Sequence, residues 1–144
     1  MAWTINKLIL VPFDFSEHSH LAVDKAIELA TSNSQIHILQ VLPTFIPLAP
    51  EGFPLEAIDD QVRVGNTVKT LDKEFADPRY AGIRKEVLIG DPGTTCAERA
   101  EEIGAELIVV SSHGRSGISR LLLGSVAERI LRLAKCPVLV IKIT

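Results

Sequence analysis

Apolar positions along this chain follow two rhythms. Short, nearly unbroken runs occur at Lys7-Leu8-Ile9-Leu10-Val11-Pro12, Ile36 to Leu42, Lys85 to Ile89, Leu107 to Val110 and Val138 to Ile143. Their length and β-branched content predict strands. Between them, apolar residues return every three or four positions, the spacing of one helix face. This gives a first helix from near Ser19 through Ala22, Ala26, Ile27 and Ala30, closing at Ser32-Asn33-Ser34. A second runs from Glu56 to Phe75 through Ile58, Val62, Val68 and Leu71, with Gly65 as a weak point inside it. A third is capped by Thr94 or Thr95, presents Ala97, Ala100 and Ile103, and closes on Gly104 as a C′ glycine. The fourth spans Ser125 to Lys135, and its Arg129, Arg132 and Lys135 favour the negative C-terminal end. Pro43, Pro47, Pro50 and Pro54 exclude regular structure between the second strand and second helix, leaving a lid or an ordered surface loop.

Strands alternating with helices require right-handed crossovers, and hence a parallel sheet covered on both faces. Continuous rather than alternating apolar runs agree, because such strands are buried on both sides. The expected fold is therefore α/β: one doubly wound five-stranded parallel sheet, ordered 3-2-1-4-5, in a single domain over residues 1–144. Winding reverses between strands one and four, and such sheets bind ligands at the carboxyl ends flanking that reversal. Those ends are Pro12-Phe13-Asp14 and Ser111-Ser112-His113-Gly114.

Composition narrows the function. A net charge of −3 with no Lys/Arg block argues against a nucleic-acid surface. The longest apolar runs fall short of a bilayer span, and the N-terminus lacks a secretory core, so a cytoplasmic protein without membrane association is expected. Cys96 and Cys136 are isolated, without C-x-x-C or histidines at ligand spacing, and read as small core fillers rather than zinc ligands. His18 and His20 are expected on a wet helix start. His37 and His113 suit structural hydrogen bonding as well as chemistry.

The most informative stretch is Val109-Val110-Ser111-Ser112-His113-Gly114-Arg115-Ser116-Gly117, continuing to Leu123-Gly124-Ser125-Val126. A strand stops at small polar residues, a Gly/Ser-rich loop follows, and Ser125 with Glu128 forms a capping-box pattern. Strand, loop and helix start together form an arrangement that receives phosphate. Its plainest alternative is a turn and a cap, together contributing about 1 kcal/mol. Arg115 is placed to reach a phosphate, or else is solvated. No G-x-x-x-x-G-K-[ST] and no G-x-G-x-x-G is present, which excludes a P-loop and a nicotinamide-dinucleotide fingerprint.

From Ile9-Leu10-Val11-Pro12-Phe13-Asp14-Phe15-Ser16 to Cys136-Pro137-Val138-Leu139-Val140, the chain resembles the universal stress protein family. Ser112-His113-Gly114, nine residues, then Gly124-Ser125 is the most specific match, with Gly90-Asp91-Pro92 and Gly104-Ala105-Glu106-Leu107-Ile108-Val109 beside it. The resemblance implies ATP, with or without Mg²⁺. It implies that Asp14 accepts from a ribose hydroxyl, the Val41 backbone reads adenine, and Pro12 and Val110 line the base pocket. Gly114 and Gly124 let the backbone approach the phosphates, while the Ser125 hydroxyl and the Ser125 and Val126 N–H groups donate to them. Where nucleotide-binding members carry the first glycine of Gly-x-x-Gly, this chain has Ser111, whose side chain either crowds the ribose or bonds to it.

A helix N-terminus supplies about 0.3–1 kcal/mol, and about 2 when partly buried. Micromolar affinity needs roughly 8 kcal/mol. An adenine slot between Pro12, Val41 and Val110 must therefore contribute. No paired carboxylates, nucleophile elbow or triad is recognisable. The expected function is a cytoplasmic ATP-binding regulatory module that acts through its bound state. The alternatives are a nucleotide-free interaction domain, favoured by Ser111, and a slow ATPase or phosphoryl-transfer enzyme. Strand five, Val138 to Ile143, is an uncovered edge without internal charge until Lys142, and an antiparallel homodimer through it is expected, as the resemblance also implies.

Overall fold

A computed structural model of the chain describes residues 4–44, 59–113 and 123–142. Five parallel strands, β1 (Ile9–Pro12), β2 (Ile36–Leu42), β3 (Arg84–Ile89), β4 (Leu107–Ser111) and β5 (Val138–Ile141), form one sheet in the order β3-β2-β1-β4-β5. The helices are α1 (Glu17–Leu29), α2 (Asp60–Glu74), α3 (Pro92–Glu102) and α4 (Ser125–Leu133). The doubly wound α/β reading and its strand order are thus as expected. Ile9 is paired to Ile36 on one side and Leu107 on the other, so β1 lies at the centre, where the winding reverses.

Alternation along each strand divides the core in two. Ile9, Val11, Phe13, Ile36, Ile38 and Val109 pack under α1 and α2 with Val23, Leu71 and Phe75. Leu10, Leu39, Ile108 and Val110 pack under α3 and α4 with Cys96, Ala100, Ala127 and Ile130. Both faces are apolar, which is why the strand sequences read as continuous runs.

Several helix starts differ from expectation, each lying earlier in the chain. α1 starts at Glu17, because Ser16 caps it by accepting the Ser19 N–H at 3.1 Å. α3 is capped by Asp91, not Thr94 or Thr95: its carboxylate accepts the Thr94 N–H at 3.0 Å, and Pro92 fits the first turn, which needs no donor. α4 is capped by Gly124 without a side-chain bond, so Ser125 is the first helical residue and the capping box does not form. Glu128 pairs with Arg132 instead. α2 continues through Gly65, where an added Cβ would meet only open space. Gly104 does close α3, at φ +68°, with the Ala105 N–H bonded to the Ala100 carbonyl at 2.8 Å. β5 ends at Ile141, with Lys142 beyond it; Ile143 lies outside the described residues, as do Glu56, Ile58, Pro47, Pro50 and Pro54.

Candidate functional site

A cavity of about 250 Å³ opens at the carboxyl ends of β1 and β4, the reversal point that the sheet order defines. One wall is aliphatic: Leu39 and Val41 from β2, Val110 from β4, Pro92 and Cys96 from α3, and Val126 and Ala127 from α4. The other is polar, formed by Asp14, Ser19, Ser111, Ser112, His113 and Ser125, with Pro12, Phe13 and Gly124 at their junctions. Of the residues singled out in the sequence, Pro12, Asp14, Val41, Val110, Ser111, Gly124, Ser125 and Val126 therefore converge here. Gly114 and Arg115 lie outside the described residues.

The chain after β4 is tied at both ends. The Ser112 N–H bonds to the Ile141 carbonyl at 2.9 Å, continuing the β4–β5 pairing. The Gly124 N–H bonds back to the Ser112 carbonyl at 2.6 Å, bringing the start of α4 against the end of β4. α1, α2 and α3 carry side-chain caps from Ser16, Asp59 and Asp91, whereas α4 carries none. First-turn amides lack intrahelical partners. Among the described residues no capping side chain competes for them at α4, and its first residues, Ser125, Val126 and Ala127, line the cavity.

Ser111 has a partner within the chain. Its hydroxyl donates to the His113 carbonyl at 2.9 Å, so it braces the turn that leaves β4. His113 reaches the cavity edge with Nδ1 3.1 Å from the Ser112 hydroxyl. Asp14 accepts the Ser16 N–H at 3.0 Å.

Two residue types behaved otherwise than the sequence suggested. Cys96 is a core filler, but it also floors the cavity, and burial pushes its thiol up to about 12. Its position three turns of chain away from β4 gave no linear signal; only the α3–sheet packing brings it in. His18 and His20 do not stand on a wet surface. His20 is half-buried, edge-on to Phe13 at 5.0 Å and 2.6 Å from Glu74, and His18 Nδ1 is buried without a partner among the described residues. His37 is structural, bonded to Glu86 at 2.9 Å, which also takes two bonds from Arg99. Burial pushes the Glu86 carboxyl up, but the bonds from Arg99 and His37 outweigh it and hold it below its ordinary value. Arg129 does not serve the end of α4: it crosses the bare Cα of Gly93 to pair with Asp91 at 2.9 Å. Together with the Thr94 amide and hydroxyl, it lowers the Asp91 carboxyl to about 2. Among the described residues no cluster of His, Cys, Asp or Glu is arranged to hold a metal, and no helix is long and apolar enough to cross a membrane.

Fold and cavity together define a doubly wound α/β domain with a small-molecule site at its topological switch point. The family model for the universal stress protein family matches residues 6–142, and the chain belongs to that family. It is 37% identical to universal stress protein MJ0531 of Methanocaldococcus jannaschii, over 94% of this chain and 82% of that one. It is 33% identical to universal stress protein YxiE of Bacillus subtilis, over 95% and 99% of the two chains. A solved universal stress protein in complex with cAMP superposes with a TM-score of 0.66 at 27% identity, covering 96% of this chain and 98% of that one.

Proposed function

We propose that this protein is a cytoplasmic regulatory module of the stress response that binds an adenine nucleotide, ATP foremost, and acts through its bound state. The observation that carries the reading is a cavity whose lining combines aliphatic side chains with polar ones and includes the start of α4. A base needs the first and phosphates the second. The Phe13 N–H bonds to the Leu39 carbonyl at 2.9 Å, and β1 turns away beyond it. Val41, two residues on, shares the backbone phase of Leu39 and extends past the end of β1, where its amide and carbonyl suit the adenine edge. Pro12 and Val110 flank that position, Asp14 serves the ribose, and Gly124, Ser125 and Val126 serve the phosphates. Gly114 and Arg115 are assigned to the phosphates from the sequence. The similar protein solved with cAMP supports an adenine nucleotide in this fold.

Mass spectrometry of the purified, denatured protein is expected to release an adenine nucleotide, and calorimetry to give saturable heat with ATP. No heat from ATP, ADP or AMP at millimolar ligand sinks the reading. Hydrolysis is expected to stay at background with Mg²⁺ present, because the cavity lining supplies no paired acid and base around a metal cage. A steady rate lost in Asp14→Ala makes the protein an enzyme instead. Dimerisation through β5 completes the proposal: it is an edge strand, and Leu139 on it is exposed. Val140→Pro is expected to yield monomers, read by sedimentation; a wild-type monomer at micromolar concentration refutes the dimer.

A further inference from the structure

We propose that Phe15 is a positioning residue for the ligand-facing carboxylate: its left-handed backbone turns Asp14 into the cavity, and its ring fastens that turn to the core. The inference rests on the nucleotide reading above, with Asp14 at the ribose. Phe15 has φ +65° and alone among the described non-glycine residues adopts a positive φ. A bulky side chain rarely occupies that region, because its Cβ crowds the neighbouring carbonyl. Such an outlier persists only where its surroundings over-determine it, and outliers of this kind gather at functional sites.

Those surroundings are visible on both sides of the residue. Phe13 and Phe15 pack into the α1/α2 core, while Asp14 lines the cavity, which Phe13 also reaches. The Phe15 ring stands edge-on to Phe13 at 5.1 Å, and Phe13 is in turn held by Phe75 and His20, both at 5.0 Å. The reversal at Phe15 returns the Ser16 N–H to Asp14 Oδ1 at 3.0 Å. Ser16 and the buried Ser19 then close a ring of bonds: the Ser19 N–H donates to Ser16 Oγ at 3.1 Å, the Ser19 hydroxyl to the Ser16 carbonyl at 2.9 Å, and the Asp14 N–H to Ser19 Oγ at 3.4 Å. An extended Phe15 would carry Ser16 along the line of β1 and remove the donor that orients the carboxylate. The strained residue therefore couples aromatic packing on one face of the sheet to carboxylate geometry on the other.

The test is calorimetry with ATP and 2′,3′-dideoxy-ATP on wild type, Phe15→Ala, Phe15→Tyr, Asp14→Ala and the Phe15→Ala/Asp14→Ala double variant. Phe15→Ala is expected to weaken ATP about tenfold, while dideoxy-ATP, which offers Asp14 no hydroxyl, changes less than about twofold. Phe15→Tyr keeps the ring and is expected to bind as wild type. In the Asp14→Ala background, Phe15→Ala should add nothing, the mark of coupled residues. Should Phe15→Ala not fold, Phe15→Gly takes its place, since glycine holds the left-handed turn without the ring. Its loss should be smaller and again confined to ATP. Equal losses for both ligands, or additivity with Asp14→Ala, overturn the positioning role. A wild type that binds both ligands equally removes the role of Asp14, and that of Phe15 with it, yet leaves nucleotide binding standing. A wild type that binds neither overturns the proposed function itself.

Discussion

On the α1/α2 face, Phe13, Phe15, Phe75 and Tyr80 interlock edge-to-face at 5.0–5.1 Å, whereas on the α3/α4 face the helices meet the sheet with Cys96, Ala100 and Ala127. The difference is one of volume. Aromatic rings fill the first face and hold α1 and α2 at fixed distance, and ring pairs add about 0.5–1.5 kcal/mol beyond their buried area. On the second face Ile130 and smaller residues pack α3 and α4 on the sheet, and space is left at the carboxyl ends of β1 and β4. The cavity is what remains there. One face of the sheet thus provides stability and the other provides room, and the Phe13-Asp14-Phe15 turn joins them.

Variants that act on one face alone can break this contrast. The largest effect on stability is expected from Phe75→Ala, which removes a ring contacting Phe13, His20 and Tyr80. A loss of about 3–5 kcal/mol is expected in denaturant unfolding, with nucleotide affinity of the folded fraction retained. On the other face, Gly124→Val places a branched side chain where the proposed phosphates would lie, at an extended backbone position open to non-glycine residues. ATP affinity should fall on the order of 100-fold, about 2.8 kcal/mol, with the unfolding midpoint near wild type. If Gly124→Val destabilises as much as Phe75→Ala, the division of labour between the faces is wrong.

Smaller changes sharpen it. Asp14→Ala should lose about 1–3 kcal/mol of ATP affinity through its ribose hydrogen bonds, read by the same calorimetry. The Asp91 carboxyl, which caps α3 and pairs with Arg129, lies at about 2 rather than 3.8. A folded-state value below the ordinary one stabilises fully above about pH 4, and that contribution disappears as pH falls towards 2. Asp91→Asn should therefore lower stability at neutral pH and flatten the acid limb between those values, leaving stability near pH 2 unchanged. An unaltered acid limb would remove Asp91 from the account. Ser111→Gly should have the smallest effect, a loss of no more than about tenfold, because the hydroxyl braces the turn through the His113 carbonyl. A gain in affinity would show instead that the serine crowds the ligand.

The sequence by itself determined the alternation of strands and helices, the parallel sheet and its reversal point. These follow from local rhythm and chain connectivity, which need no knowledge of contacts at long range. It also picked out many residues that line the cavity, since Asp14 and Ser111 sit where strands end and Gly124-Ser125 where a helix begins, and such boundaries are legible. Tertiary structure decided which groups cap, fill and brace. Asp91 displaced Thr94 and Thr95 as the cap of α3, and Arg129 left the end of α4 to pair with it. Cys96 entered the cavity because α3 lies against β2, and His20 was drawn partly from the surface by the rings of Phe13 and Phe75. Phe15 is the clearest case. Nothing in Asp-Phe-Ser prescribes a left-handed phenylalanine; that conformation is held by Phe13 on one side and the Ser16–Ser19 bonds on the other. Periodicity is a property of neighbours along the chain, whereas caps, cavities and strain depend on which side chains meet once the chain has folded.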